Sequence, residues 1–359
     1  MSVIESILRF GTKINASDVH ITVGKPPVFR INGLLQSLDN MSSFEQELPR
    51  TKLTPEQTME MARAIMDAGQ YKEFTEMGEV DFSYSIHGVG RFRINIYKQR
   101  GSVAMAMRII RTQIPTIQEL GLPEVTGHLA RKPRGLVLVT GPTGSGKSTT
   151  LAAMIDLINT ETSSHIITLE DPVEYLHFHK KSIVNQREIG QDSMSFGNAL
   201  RAAMREDPDV ILVGEMRDLE TMATAITAAE TGHLVLATLH TTSAAQTIDR
   251  IIDAFPPHQQ QQIRIQLSST LQGVICQQLL PKRDGSGRVV AMETMVVTSA
   301  IRNLIREGKT HQIVSQIQTG ARFGMQTMDM SLRNLVLNGI VSAETAREKA
   351  VDIEMLAKA

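Results

Sequence analysis

In the first 112 residues, hydrophobic positions repeat either with the spacing of a helix or at every second residue, as in a strand. A helical spacing over Val3 to Lys13 predicts an amphipathic helix, and alternation of polar and apolar residues predicts half-buried strands. The alternating runs are 17–23, 80–86, 91–97 and 103–110. Asn32 and Gly33 give a hairpin signal, whereas residues 39–52 are expected to be a loop. Thr54 begins a helix signal from which we expect a helix to about Ala68, so this region is predicted to be α+β.

From about residue 124 onward, short apolar runs alternate with helical patterns. This arrangement is typical of a mostly parallel sheet with helices on both faces. The runs that predict its central strands are 136–140, 166–169, 210–213 and 234–239. Beyond them, residues 258–280 and 328–337 show helical spacing, and 288–297 predicts another strand. Ser299 and Ser342 are expected to cap two further helices near the end of the chain.

Composition narrows the class of protein. Of 359 residues, 42% are hydrophobic and 21% charged, which is ordinary for a soluble globular protein. The formal net charge of −1 gives no basic field for nucleic acid. No run approaches the ~20 apolar residues that span a bilayer, and the N-terminus lacks a signal-peptide pattern. The single cysteine, Cys276, is expected to be a buried residue in a helical pattern. We therefore expect a cytoplasmic protein.

The stretch 135–148, GLVLVTGPTGSGKS, carries the strongest chemical signal in the chain. It reads as a buried strand followed by a phosphate-binding loop and then a helix. Lys147 can reach the β- and γ-phosphates, and the Ser148 hydroxyl can bind Mg²⁺. We therefore predict ATP and Mg²⁺ as cofactors. The residues predicted to bind the nucleotide are Gly141, Thr143, Gly144, Ser145, Gly146, Lys147, Ser148 and Thr149.

Polar groups follow the other predicted central strands. Ligands bind outside the carboxyl ends of strands in such sheets, so Glu170, Glu215 and His240 are expected to lie near the phosphate loop. We expect Glu215 to orient or deprotonate the attacking water. Glu170 and Asp171, with Glu174 close behind, are expected to hold Mg²⁺ directly or through water or to help position the nucleophile. Helix capping is the alternative for each carboxylate. His240 could sense the γ-phosphate or form a hydrogen bond with Glu215, and His233 is a further catalytic candidate; for each histidine a structural role is the alternative.

Four arginines, Arg91, Arg93, Arg100 and Arg108, lie in the segment of the first domain that is predicted to form a sheet. They form either a solvated basic face or a source of arginines for a phosphate site on a neighbouring subunit. An arginine supplied in trans stabilises the charge that develops during phosphoryl transfer.

Together these motifs resemble those of a known family. The segments GPTGSGKSTT, ITLEDPVEY, REDPDVILVGEMRDLET and TGHLVLATLHT are similar to the Walker A, aspartate, Walker B and histidine boxes of the secretion ATPase superfamily of P-loop NTPases. AIRNLIRE at 300–307 resembles the C-terminal motif of the type IV pilus retraction ATPases, the PilT family. Relatives that act in pilus assembly or type II secretion commonly carry a four-cysteine zinc insertion, and the single cysteine here favours retraction.

The resemblance implies a fold and an assembly. It implies an α/β protein with a PAS-like N-terminal domain over 1–112, a linker over 113–123, a RecA-like core over 124–298 and a helical subdomain over 299–359. It also implies a homohexameric ring in which Arg93 and Arg108 best match the arginine fingers.

The resemblance further implies ATP hydrolysis that powers pilus retraction and twitching motility. The expected location is the cytoplasmic face of the inner membrane, where the ring is peripheral to the membrane. The expected partners are an inner-membrane platform protein and, through it, pilin. The side chains of Arg302 and Arg306 are expected to be free to face a partner or another part of the ring and to couple hydrolysis to this work. The alternatives are an accessory paralogue of the retraction motor, a module that senses ATP without turnover, and a nucleic-acid motor, which the charge balance disfavours.

Overall fold

The chain divides into two units, each built on one β-sheet. The first unit comprises residues 1–113 with 174–176, and the second comprises 114–173 with 177–359. The computed structural model describes residues 2–31, 33–41, 48–110 and 112–353. Asn32 of the expected hairpin and residues 42–47 of the expected loop therefore lie outside the described residues.

The first unit contains a six-stranded antiparallel sheet with strand order β3-β2-β1-β6-β5-β4. Its helices and strands are α1 (Val3–Lys13), β1 (Asp18–Ile21), β2 (Val28–Ile31), β3 (Leu34–Ser37), α2 (Pro55–Arg63), α3 (Ala68–Met77), β4 (Glu79–Ile86), β5 (Gly90–Gln99) and β6 (Ser102–Ile109). The predicted helix over Val3 to Lys13 is confirmed. It buries Ile4, Ile7 and Leu8 in the core of the unit.

The helix expected from Thr54 to about Ala68 is wrong at its C-terminal end. Helix α2 ends at Arg63, and a second helix begins at Ala68. The Asp67 side chain accepts a hydrogen bond from the backbone of Gln70 at 2.8 Å, and the Gln70 side chain accepts one from the backbone of Asp67 at 3.0 Å. This reciprocal cap starts the new helix and overrides the signal of Gly69, which lies inside it.

The second unit contains a seven-stranded sheet with strand order β13-β12-β7-β11-β10-β8-β9. The strands are β7 (Gly135–Thr140), β8 (His165–Glu170), β9 (Ile183–Glu188), β10 (Val210–Val213), β11 (Leu234–Leu239), β12 (Leu271–Pro281) and β13 (Arg288–Val296). The helices are α4 (Glu124–Ala130), α5 (Lys147–Glu161), α6 (Phe196–Ala203), α7 (Leu219–Glu230), α8 (Ala244–Asp253), α9 (Pro257–Thr270), α10 (Ser299–Arg306), α11 (Ile313–Gln318), α12 (Met328–Leu337) and α13 (Ala343–Arg347).

The central strands of this sheet are parallel and buried on both faces. Along β7, Leu136 and Leu138 pack in one hydrophobic core, whereas Val137 and Val139 pack in another on the opposite face. A strand between two helix layers has no solvated face, which explains its continuous apolar sequence. The predicted α/β class is therefore confirmed. No helix in the described part of the chain is both long enough and apolar enough to cross a bilayer.

The predicted helix over residues 258–280 is wrong beyond Thr270. Residues from Leu271 form strand β12, which lies between β7 and β13. Cys276 is consequently buried on a strand, not on a helix, and burial raises the pKa of its thiol. Gly273 marks a register shift in β12, and a Cβ there would lie 2.7 Å from Leu129. Such a glycine is typical of a bulge.

One buried carboxyl joins two helices to the edge strand β13. Glu293 accepts a hydrogen bond of 2.7 Å from the backbone of Ala244, the first residue of α8. The backbone of Met328, the first residue of α12, also hydrogen-bonds to this carboxyl. Burial raises the pKa of Glu293, and the two backbone hydrogen bonds offset part of that rise. Each bond satisfies an amide that a helix N-terminus leaves unpaired.

The caps of two late helices were predicted from serines. Ser342 caps α13 as expected, and its side chain accepts a hydrogen bond from the backbone of Thr345. The expected cap at Ser299 is wrong, because Thr298 accepts the hydrogen bond from the backbone of Ile301. Both residues carry a hydroxyl, so the sequence alone does not choose between neighbouring caps.

Candidate nucleotide site

The pairing register brings four strand ends to one edge of the second sheet. Thr140 at the end of β7 lies opposite Leu239 at the end of β11. Val213 at the end of β10 lies opposite Leu169, one residue before the end of β8. The polar segments that follow these strands therefore leave the sheet at one carboxyl edge, where open α/β sheets bind ligands.

The phosphate loop connects β7 to α5 through glycines with left-handed backbone. Gly146 precedes α5 with φ of 91°, which favours glycine. A Cβ on Gly141 would lie 2.3 Å from the carbonyl oxygen of Gln277 on β12, so this position has no room for a side chain. The loop is thus a tight turn that ends on the N-terminus of a helix of 15 residues. Such a turn and helix N-terminus together favour phosphate binding.

The side chains of this loop supply the expected cation and hydroxyl. The Lys147 ammonium donates to the carbonyls of Gly141 at 2.8 Å and Pro142 at 3.1 Å, so it lies along the loop. Ser148 follows it in the first turn of α5, and both side chains are partly exposed. The Ser145 hydroxyl is buried and has no hydrogen-bond partner among the described residues.

The Glu215 carboxylate lies at the same edge and is held by two side chains. His240 Nε2 lies 2.8 Å from Oε1, and Arg217 Nη2 lies 2.8 Å from Oε2. Burial raises the pKa of Glu215, but the hydrogen bond from Arg217 and the charges of His240 and Arg217 outweigh it, so the pKa is lowered. Glu215 is thus maintained as a carboxylate. The expected hydrogen bond between His240 and Glu215 is present.

The Glu170 carboxylate at the end of β8 is fixed by donors on two strands. The Thr168 hydroxyl donates to Oε1 at 2.6 Å, and the Gln186 amide of β9 donates to the same oxygen at 3.2 Å. Asp171 follows Glu170 and is exposed. Within the described residues, no group of three or more His, Cys, Asp or Glu side chains is arranged to hold a metal ion.

The structure does not bring His233 together with these groups within one chain. His233 precedes β11, and its backbone carbonyl accepts from the amide of Gly135 at the start of β7. Its ring Nδ1 lies 2.9 Å from the carbonyl oxygen of Ala228. His233 therefore lies at the amino edge of the sheet, six strand residues away from His240.

The two candidate finger arginines are neighbours on the first sheet. Arg93 on β5 lies directly opposite Arg108 on β6, so their side chains share one face. Each arginine is paired with a carboxylate: Arg93 Nη2 lies 2.6 Å from Asp81, and Arg108 Nε lies 3.2 Å from Asp18. This face therefore carries alternating charges and is not uniformly basic.

The two candidate coupling arginines differ in their surroundings. On α10, Arg302 donates to the carbonyl of Ser269 at 3.1 Å, at the C-terminal end of α9. The expectation that the Arg302 side chain is free to face a partner is therefore wrong, because its guanidinium satisfies helix carbonyls. Arg306 is exposed at the last turn of α10.

Reasoning from the sequence did not find two residues of this site. Arg217 lies two residues after Glu215 in the sequence and contacts its carboxylate. An arginine so close to a carboxylate that follows a buried strand is a local signal from which the pair could have been predicted. Gln186 lies on β9, a strand that the pattern did not predict because its sequence, IVNQRE, is mostly polar. No local signal connects Gln186 to Glu170.

The chain is similar to known proteins over nearly its whole length. Residues 1–348 match the family model described as type II/IV secretion system protein. The type IV pilus retraction ATPase PilT of Pseudomonas aeruginosa is 51% identical, with 97% of this chain and 98% of that protein covered. The type IV pilus ATPase PilU of the same organism is 42% identical over 99% of this chain and 91% of that protein. A crystal structure of the pilus retraction motor PilT with bound ADP has a TM-score of 0.89 and covers 100% of both chains at 51% identity.

The geometry predicts different defects for Glu215→Gln and Lys147→Ala. Glu215→Gln keeps the side-chain shape but removes the base, so we expect ATP binding to persist and hydrolysis to fall by about 10²–10⁴-fold. Lys147→Ala removes the cation of the phosphate loop, so we expect weaker ATP binding. Equilibrium binding of a fluorescent ATP analogue and phosphate release measure the two effects. Hydrolysis by Glu215→Gln within a few-fold of wild type would contradict the assignment.

Proposed function

The chain belongs to the family of type II/IV secretion system proteins, and on this premise we propose that it is an ATPase that powers type IV pilus retraction and twitching motility. The observation that carries ATP hydrolysis is the Glu215 carboxylate, held by His240 at the edge where the phosphate loop leaves the sheet. The assignment to retraction rests on the similarity to a named retraction ATPase over nearly the whole of both chains.

The residues at the carboxyl edge of the second sheet would have different roles in ATP hydrolysis. The loop amides and the N-terminus of α5 bind the phosphates, and Lys147 compensates the charge of the β- and γ-phosphates. Glu215 accepts a proton from the attacking water, and His240 holds Glu215 in place. The hydroxyl of Ser148 and the carboxylate of Glu170 are oxygen donors of the kind Mg²⁺ prefers. Ser148, Glu170 and Asp171 would hold the ion directly or through water, and the ion would neutralise phosphate charge.

We further propose a homohexameric ring in which one subunit completes the site of the next. In this proposal the PAS-like domain over 1–112 is joined by the linker 113–123 to the RecA-like core over 124–298, and the helical subdomain over 299–359 follows. Arg93 and Arg108 would leave Asp81 and Asp18 to reach the γ-phosphate on a neighbouring subunit. His233 would act away from its own chain's Glu215, because it lies at the opposite edge of the sheet.

The proposed site of work is the cytoplasmic face of the inner membrane. There the ring would act on a platform protein of the pilus machine and, through it, on pilin. The exposed charge of Arg306 at the end of α10 is suited to contact such a partner. Arg302 would instead support α10 by its hydrogen bonds to the end of α9.

Mixed rings test whether the arginines act in trans. An Arg93→Ala, Arg108→Ala double variant and Glu215→Gln should each be inactive alone. When they are mixed, some sites combine an intact Glu215 with intact arginines from the neighbour, so phosphate release should partly return. Mixing Lys147→Ala with Glu215→Gln is the matched control, because both defects fall in the same subunit's part of the site. No recovery at any ratio, in rings shown to be mixed, would count against action in trans.

Complementation tests the proposed work. In a Pseudomonas aeruginosa strain without its own retraction ATPase, the wild-type gene should restore twitching, and Glu215→Gln should not. Arg306→Ala should keep hexamers and ATPase activity within about twofold, since a surface charge contributes little to stability, yet should fail to restore twitching. Arg131→Ala, which removes another exposed arginine, is the control and should restore it. Normal twitching with Arg306→Ala would show that this residue has no coupling role.

A further inference from the structure

The loop after β10 places a cation, Arg217, on the catalytic carboxylate in addition to His240. Arg217 Nη2 lies 2.8 Å from Glu215 Oε2, while His240 Nε2 lies 2.8 Å from Oε1. The two donors come from different elements, because Arg217 follows β10 and His240 follows β11. Each carboxylate oxygen therefore has its own donor, and rotation of the carboxylate breaks at least one contact.

From this arrangement we propose that Arg217 is a positioning residue for the catalytic base, fixing the orientation and the ionised form of Glu215 together with His240. The proposal rests on the proposed function, in which Glu215 receives the proton of the attacking water. Rates of such transfers depend steeply on the placement of the base, since a misplacement of ~1 Å can cost about 10²-fold.

The degree of burial distinguishes this pair from an ordinary surface pair. The Glu215 side chain is 18% exposed, whereas that of Arg217 is 69% exposed. In the Arg131–Glu161 pair, two nitrogens of the guanidinium bond the carboxylate at 2.7 and 2.8 Å, but the side chains are 47% and 39% exposed. Water screens the second pair on both sides, while Glu215 is shielded and depends more on its partners.

The electrostatics agree with this geometry. Burial raises the pKa of Glu215, and the largest opposing contribution is the hydrogen bond from Arg217, followed by the charge of His240. The pKa of Arg217 is raised, chiefly by its hydrogen bond and charge interaction with Glu215 and least by the charge of Asp171. Arg217 therefore stays cationic, so its removal should raise the pKa of Glu215 and leave more of it protonated at mildly acidic pH.

Single-turnover hydrolysis of ATP with Mg²⁺, measured against pH in the full-length protein, tests the proposal. Arg217→Gln should lower the plateau rate by about ten- to a hundredfold and move the acidic limb of the profile to higher pH. The affinity for a non-hydrolysable ATP analogue should stay within about twofold, because the effect acts through Glu215. Arg217→Lys, which keeps the charge, should recover part of the rate and of the shift. Arg131→Gln is the matched control and should behave as wild type.

Two results would overturn the proposal. One is a rate–pH profile of Arg217→Gln that superimposes on that of wild type. The other is a large loss of analogue affinity with an unmoved acidic limb, which would mean that Arg217 binds nucleotide directly. Glu215→Gln, measured alongside, separates this proposal from the proposed function. If that variant is inactive while Arg217→Gln is normal, only the positioning role fails; if it remains active, the base assignment itself fails.

Discussion

The in-register pairing of four parallel strands is the constraint on which the site depends. Strands β7, β11, β10 and β8 are buried on both faces, so their sequences can hold few polar groups. Polar chemistry is therefore confined to the residues that follow each strand, and the register brings those residues to one edge. The phosphate loop, Glu215, His240 and Glu170 are thus brought to one edge by backbone pairing that involves none of their side chains.

The buried carboxyl of Glu293 links α8, which follows His240, to α12 near the end of the chain. It accepts hydrogen bonds from the first residues of α8 and α12. Helix α8 begins four residues after His240. Pulling either helix away would leave a buried polar group unpaired, at a cost of about 1–3 kcal/mol. Glu293 therefore connects the segment that follows His240 to the C-terminal helix α12.

Features set by local sequence were predictable, and features set by tertiary pairing were not. The helix over Val3 to Lys13 and the phosphate loop follow from periodicity and from glycine chemistry, and both are present. The helical spacing of Leu267, Leu271 and Val274 predicts a helix that continues past Thr270, but pairing with β7 and β13 makes the segment from Leu271 a strand. The position of Glu215 and His240 at one edge was predictable, because both residues follow predicted parallel strands. The contacts of Arg217 and Gln186 were not predictable, because they depend on the folded structure.

The central claim is that ATP hydrolysis at this edge drives retraction of pili. The most direct test is to delete the gene in its own organism and to count surface pili while recording twitching. Retraction predicts cells that carry excess pili and do not move, because filaments assemble but are not withdrawn. Absence of surface pili would instead assign the protein to assembly and contradict the account.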